Sequence, residues 1–199
     1  MTASWKEWKN LYVTDMLSKL FSILKSKSRV IAVENGIWVA ENFISRQQCD
    51  DIIEKIEKSN FKVARQYKEG RHNKETFLEE SSVVQLLRTK FKELTASANF
   101  PFTVTDFSLP LEFYKYEAGD YIKRHSDAPR ESNGRFSKLT LVIYLSDNCQ
   151  GGETFFEKYN VKINPRSGAA LLFEQHLNHE ALIVKSGIKY VLRTNCFVD

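Results

Sequence analysis

The hydrophobic positions fall into two regimes that divide near residue 105. Residues 4–26 space Trp5, Trp8, Leu11, Tyr12, Met16, Leu20, Ile23 and Leu24 as the stripe of an amphipathic helix. VIAVENGIWVAENF then gives two short β-type runs around Asn35-Gly36, a dipeptide favoured in tight hairpin turns. Ser45-Arg46-Gln47-Gln48 reads as a capping box opening a helix through about Lys58, with Asp51 and Glu54 on its solvated face. Residues 65–80 are polar and irregular, and read as a loop. Ser82-x-x-Gln85 repeats the capping pattern ahead of a helix running to about Thr95. From Asp106 onward, short runs of Phe, Tyr, Val, Ile and Leu alternate with turns at Glu117-Ala118-Gly119-Asp120, Gln150-Gly151-Gly152 and Pro165-Arg166-Ser167-Gly168. That is the pattern of an antiparallel double-sheet structure.

The fold class is therefore α+β: helical and hairpin support elements in residues 1–105 and a β core in residues 106–199, one compact domain overall. At 199 residues the chain is long enough to bury most of the surface its unfolded form exposes. An aromatic share of 13% suits packed sheet faces. The net charge of +4 sits in the first thirty residues, where Lys6, Lys9, Lys19, Lys25, Lys27 and Arg29 face only Glu7 and Asp15. The rest is neutral, so no basic footprint for nucleic acid is expected. The basic stripe of residues 4–26 would pack on the body or on a second subunit, as in a homo-oligomer; membrane association is the lesser reading. Cys49, Cys149 and Cys196 match no zinc spacing and no disulfide framework. With no signal-peptide pattern at the start, a cytoplasmic, reducing location is expected.

The chemistry concentrates around four histidines. His125-Ser126-Asp127 puts two ligating side chains at i and i+2, on one face of a strand end. A third ligand some fifty residues on, either His176 or His179, would complete a two-histidine, one-carboxylate facial set that leaves positions open on a ferrous ion. Ten residues after His179, Lys189 begins a return strand, reached through a turn at Lys185-Ser186-Gly187, on which Lys189, Val191 and Arg193 share a face. A buried cation there would pair with the far carboxylate of a dicarboxylic cosubstrate whose keto acid end chelates the metal. Thr140, Val142 and Tyr144 share another strand face, while Leu139, Leu141 and Ile143 form an apolar face suited to packing on helices.

LEFYKYEAGDYIKRHSD, LTLVIYLSDNCQGGETFF, INPRSGAALLFEQHLNHEA and GIKYVLRT together resemble the prolyl 4-hydroxylase-type branch of the 2-oxoglutarate/iron(II) oxygenases. The likeness covers residues 110–195 in unbroken order and reaches back weakly to ENFISRQQCDDII and RHN. Tyr-x-x-Gly falls on Tyr116 and Gly119, His-x-Asp on His125 and Asp127, and Thr-x-x-x-Tyr-Leu on Thr140, Tyr144 and Leu145. Gly-Gly-x-Thr falls on Gly151, Gly152 and Thr154, Pro-x-x-Gly on Pro165 and Gly168, His-Glu on His179 and Glu180, and Gly-x-Lys-Tyr on Gly187, Lys189 and Tyr190. Two positions depart from that pattern: Ala181 stands where glycine is usual, and Ile122 where an aromatic is common.

The resemblance implies a double-stranded β-helix core, of jelly-roll or cupin-like form, with supporting N-terminal helices. It implies a dioxygenase hydroxylating an unactivated C–H of a proline-like peptidyl residue or a small amino-acid-like metabolite. Iron(II) would be held by His125, Asp127 and His179, and 2-oxoglutarate by Lys189, with phenol hydrogen bonds from Tyr116 and Tyr144. Thr140 and Arg193 complete the candidate cofactor-binding set, Arg193 either meeting a ligand or closing an ion pair. Dioxygen is the second cosubstrate and ascorbate a candidate reductant. Asp127, as a carboxylate, speaks against halogenation. Arg71, Asn73 and Ile122 are candidate substrate contacts, and residues 128–138 a candidate lid. The rival readings are a catalytically silent relative and a partner- or membrane-binding module led by the N-terminal stripe; retention of all four ligating residues favours an enzyme.

Overall fold

Every sheet among the described residues is antiparallel, and the polar or apolar character of each strand follows from which side faces the space between the sheets. The computed structural model describes residues 28–64, 70–96 and 100–199; the stripe at residues 4–26 lies outside the described residues. No described helix is long and apolar enough to cross a membrane.

β1 (Arg29–Glu34) and β2 (Ile37–Glu41) form the expected hairpin, with Glu34 opposite Ile37 across Asn35-Gly36. The helix Arg46–Glu57 follows, and its capping box is made: Gln48 N–H donates to Ser45 Oγ at 3.1 Å and Ser45 N–H to Gln48 Oε1 at 2.8 Å. Next come β3 (Lys62–Val63), β4 (Arg71–His72), β5 (Lys74–Leu78) and the helix Ser81–Thr95. β6 (Val104–Phe107), β7 (Leu111–Tyr116) and β8 (Tyr121–His125) lead to a short hairpin of β9 (Glu131–Ser132) and β10 (Arg135–Phe136). β11 (Leu139–Tyr144), β12 (Cys149–Gly151), β13 (Thr154–Phe156) and β14 (Val161–Ile163) precede β15 (Ala170–Glu174). β16 (His179–Ala181), β17 (Val184–Gly187) and β18 (Lys189–Val198) complete the chain.

The large sheet runs β1-β2-β15-β11-β18-β7-β5-β3, with β6 also paired to β18; the smaller one runs β14-β13-β16-β8-β4. This is the double-stranded β-helix, and the early elements join it by strand pairing, β2 with β15 and β5 with β7. On the outer face of the large sheet, Leu139, Leu141 and Ile143 pack with Cys49, Ile52 and Ile56 of the first helix and Val83, Leu87, Phe91 and Leu94 of the second. The opposite face of the same strands, with Tyr114, Tyr116, Tyr144, Leu171, Phe173 and Val191, closes a second core against Phe156 and its neighbours. The six-residue alternation of β11 thus sets helices on one side and the site on the other.

Four local expectations are corrected. The part of the polar stretch 65–80 that is described holds two strands, not a loop. Its polarity misleads because Glu75 and Phe77 lie opposite Tyr114 and Glu112 on the inner face, where the lining is polar, while Thr76 is buried. The second helix starts at Ser81 with Glu80 at its cap and no side-chain capping bond; Ser82 instead bonds Glu80 and accepts from Lys55 Nζ at 2.6 Å. Lys185-Ser186-Gly187 belongs to β17, paired with β12, and Ile188 alone separates it from β18 in the large sheet. Residues 128–138, the candidate lid expected as a polar loop, carry the β9–β10 hairpin. Asn133 (φ 51) and Gly134 (φ 73) both take positive φ at its turn, the conformation that Asn-Gly accepts most readily.

Candidate active site

Pairing of β16 with β8 sets His179 directly opposite His125, and the imidazole centroids stand 4.4 Å apart. Asp127, just past the end of β8, is tied back by its N–H to the Gln175 carbonyl at 3.0 Å. His125 Nε2 lies 3.8 Å from Asp127 Oδ1 and His179 Nε2 3.9 Å from Asp127 Oδ2. One ligand atom from each of the three residues falls within 4.8 Å of the others.

The tautomers follow from the remaining nitrogens. His125 Nδ1 is 2.8 Å from the Lys123 carbonyl and His179 Nδ1 3.0 Å from the Leu177 carbonyl. A carbonyl only accepts, so each Nδ1 carries the proton and each Nε2 offers its lone pair inward. Burial pushes the pKa of His179 down to about 4 against the pull of Asp127, so the ring is neutral at physiological pH. For Asp127, burial raises the pKa, but Arg193, His179, the Thr140 hydrogen bond and His125 outweigh it and hold the carboxyl below its usual range. Two imidazole Nε2 atoms and one carboxylate therefore converge, the carboxylate also held by Thr140 and Arg193. That donor set fits a divalent ion of the iron type.

His176 is not part of the cluster. It is exposed and lies 3.3 Å from Glu174. It sits in a turn before β16.

Lys189 opens β18 opposite Tyr116, fully inside the barrel. Its Nζ donates to the Gly152 carbonyl at 2.6 Å and lies 4.5 Å from the Tyr116 ring centroid. Among the described residues it forms no ion pair with a carboxylate, and burial brings its pKa down to about 8. Tyr116 and Tyr144 are buried beside it, and burial raises both phenols, which stay protonated donors. Tyr144 Oη is 2.8 Å from Thr154 Oγ1, whereas the Tyr116 hydroxyl makes no hydrogen bond among the described residues. A buried ammonium with no carboxylate at ion-pair distance among the described residues, faced by phenols, fits the distal carboxylate of 2-oxoglutarate.

The other expected residues surround this pair of features. Thr140 donates to Asp127 Oδ2 at 2.5 Å. Arg193 turns away from the Lys189 end and spends its donors on Asp127, Glu112 and Asn195. Arg71 pairs across to Ile122 on β8, lays its guanidinium 4.7 Å over the Tyr114 ring and donates to Asn73 Oδ1 at 2.8 Å. Asn73 is buried and Ile122 half-buried against the inner core. The residues not anticipated are Glu112, Asn195, Gln175 and Ser137. Glu112 carried a usable signal: in LEFYKY it shares a face with Tyr114 and Tyr116, a carboxylate in an otherwise buried row.

A sequence model described as the 2OG-Fe(II) oxygenase superfamily matches residues 111–197. The chain is 24% identical over 179 residues to a putative prolyl 4-hydroxylase of Acanthamoeba polyphaga mimivirus, spanning 79% of this chain and 72% of that one. It is 27% identical over 173 residues to probable prolyl 4-hydroxylase 3 of Arabidopsis thaliana, spanning 73% and 60%. The crystal structure of a viral collagen prolyl hydroxylase from Paramecium bursaria Chlorella virus-1, in complex with 2OG, shares the fold with a TM-score of 0.64. That match has 22% identity and covers 84% of this chain and all of the other. Residues 111–197, which hold the ligand cluster and Lys189, thus match the 2OG-Fe(II) oxygenase superfamily model, and the likeness to prolyl 4-hydroxylases extends over most of the chain.

Proposed function

We propose that this chain is an iron(II)- and 2-oxoglutarate-dependent hydroxylase acting on a proline residue within a peptide. The observation that carries the reading is the pairing of one ligand cluster with one uncompensated buried cation. His125, Asp127 and His179 converge at one level of the barrel, and Lys189 sits in the same interior with no carboxylate partner among the described residues. The proline-like substrate rests on the relatives named prolyl 4-hydroxylases.

His125 and His179 would hold iron through Nε2, and Asp127 through a carboxylate oxygen. When bound, the iron activates dioxygen, so that oxidative decarboxylation of 2-oxoglutarate to succinate and carbon dioxide is coupled to hydroxylation of the substrate. Lys189 neutralises the distal carboxylate of 2-oxoglutarate, and the Tyr116 hydroxyl donates to it. Phe156 and Phe173, packed against the His179 ring at centroid distances of 5.9 and 4.4 Å, keep water from one side of the ligand cluster. Arg71, Asn73 and Ile122 border the space left for substrate. Ascorbate as reductant and a cytoplasmic location belong to the same proposal.

The test is succinate release from 2-oxoglutarate with iron(II) and dioxygen, alongside mass analysis of a proline-rich peptide in the same reaction. The expected outcome is succinate formation and an added oxygen atom on proline, both lost in His179→Ala and kept in His176→Ala. Succinate without peptide oxidation would move the substrate to a small metabolite; no succinate at all would contradict the enzyme reading.

A further inference from the structure

Beside the ligand cluster runs a buried polar network centred on a guanidinium that metal coordination alone does not require. Arg193 Nη2 lies 2.9 Å from Asp127 Oδ1, and Arg193 Nη1 donates to Glu112 Oε1 at 3.0 Å. Nη2 also donates to Asn195 Oδ1 at 3.0 Å, an oxygen that accepts from Gln175 Nε2 at 2.7 Å as well. Gln175 Oε1 accepts from Ser137 Oγ at 3.1 Å, at the foot of the β9–β10 hairpin. Glu112 is held in turn by the Tyr114 hydroxyl at 2.5 Å.

A cation this close to a metal ligand works against the metal by its field. Burying a guanidinium is itself costly unless carboxylates meet it. Glu112 supplies a second carboxylate, so Asp127, Arg193 and Glu112 together carry one negative charge, the same as Asp127 alone. Glu112 thereby offsets much of the field of Arg193, with the Arg130 guanidinium farther off at 3.8 Å from the same Glu112 oxygen, and the geometric effect remains. Thr140 holds one oxygen of Asp127 and Arg193 the other, so the carboxylate plane cannot turn about its Cβ–Cγ bond. Only a planar fork can serve Asp127, Glu112 and Asn195 together.

We propose that Arg193 is a positioning residue, locked by Glu112 and Asn195, that fixes the orientation in which Asp127 meets the metal. The proposal rests on the metal-site reading above. Its test compares the charge-balanced double variant Arg193→Met/Glu112→Gln with the wild type, using Mn(II) affinity and the absorption spectrum of the Co(II)-loaded protein. The double variant keeps the net charge, so a loss of about tenfold in Mn(II) affinity with an altered Co(II) spectrum reports orientation, not field. An affinity within about twofold of wild type, with an unchanged spectrum, overturns the proposal. Arg193→Lys retains the charge without the fork and is the second variant should the double one not fold. It too is expected to weaken Mn(II) binding, and full affinity in it would leave charge as the only role. His179→Ala serves as control: undiminished Mn(II) binding there would refute the metal site itself, a different failure from that of Arg193.

Discussion

Lys189 carries a free-energy cost in the ligand-free protein. A lysine with a folded pKa near 8 against an ordinary 10.5 binds fewer protons folded than unfolded. Its penalty is therefore fully present below pH 8 and fades as pH rises towards 10.5. A bound dicarboxylate reverses the balance, because it favours the charged ammonium. Affinity for 2-oxoglutarate should thus be flat below about pH 8 and fall about tenfold per unit above it, measured by titration of the Mn(II)-loaded protein. Lys189→Ala removes one partner of a buried charge pair, and the apparent KM for 2-oxoglutarate should rise by about a hundredfold while Mn(II) affinity is largely kept. A KM unchanged by the substitution would place the cosubstrate elsewhere.

At the scale of elements, the Gly151-Gly152 turn is what lets Lys189 lie where it does. Gly152 has φ +73, and a Cβ there would stand 3.1 Å from Lys189 Cδ and 3.0 Å from Val184 Cγ2. Gly152→Ala should cost about 1 kcal/mol in backbone strain alone and lower Tm by about 2–4 °C. It should also weaken 2-oxoglutarate binding while sparing the metal; calorimetry and titration on the same sample read both. Elements with a single buried face were legible in the sequence, as β11 and the capping box at Ser45 illustrate. β5 was not, because its inner residues face a polar lining and break the expected alternation. The hairpin at residues 131–136 was missed although Asn133-Gly134 is a stronger turn signal than its polar surroundings suggested. The partners of Arg193 were hidden for another reason: Glu112 reaches it through strand register and Asp127 across the barrel interior, neither of which a single segment encodes.

In the whole molecule, helices cover the outer face of the large sheet and free its inner face for chemistry. The pairing β16 with β8 and β18 with β7 brings residues fifty or more apart in the chain into one interior. His125 and Asp127 stood out in the sequence by their i, i+2 spacing, whereas spacing left His176 and His179 open, and the choice of His179 and the role given to Lys189 followed from the family resemblance. The most direct test is a crystal structure with Mn(II) and N-oxalylglycine, a mimic of 2-oxoglutarate that is not decarboxylated. The metal is expected on Nε2 of His125 and His179 and on the Asp127 carboxylate, with the distal carboxylate of the mimic on Lys189 Nζ and the Tyr116 hydroxyl. A metal bound elsewhere, or a mimic that leaves Lys189 untouched, would contradict the account.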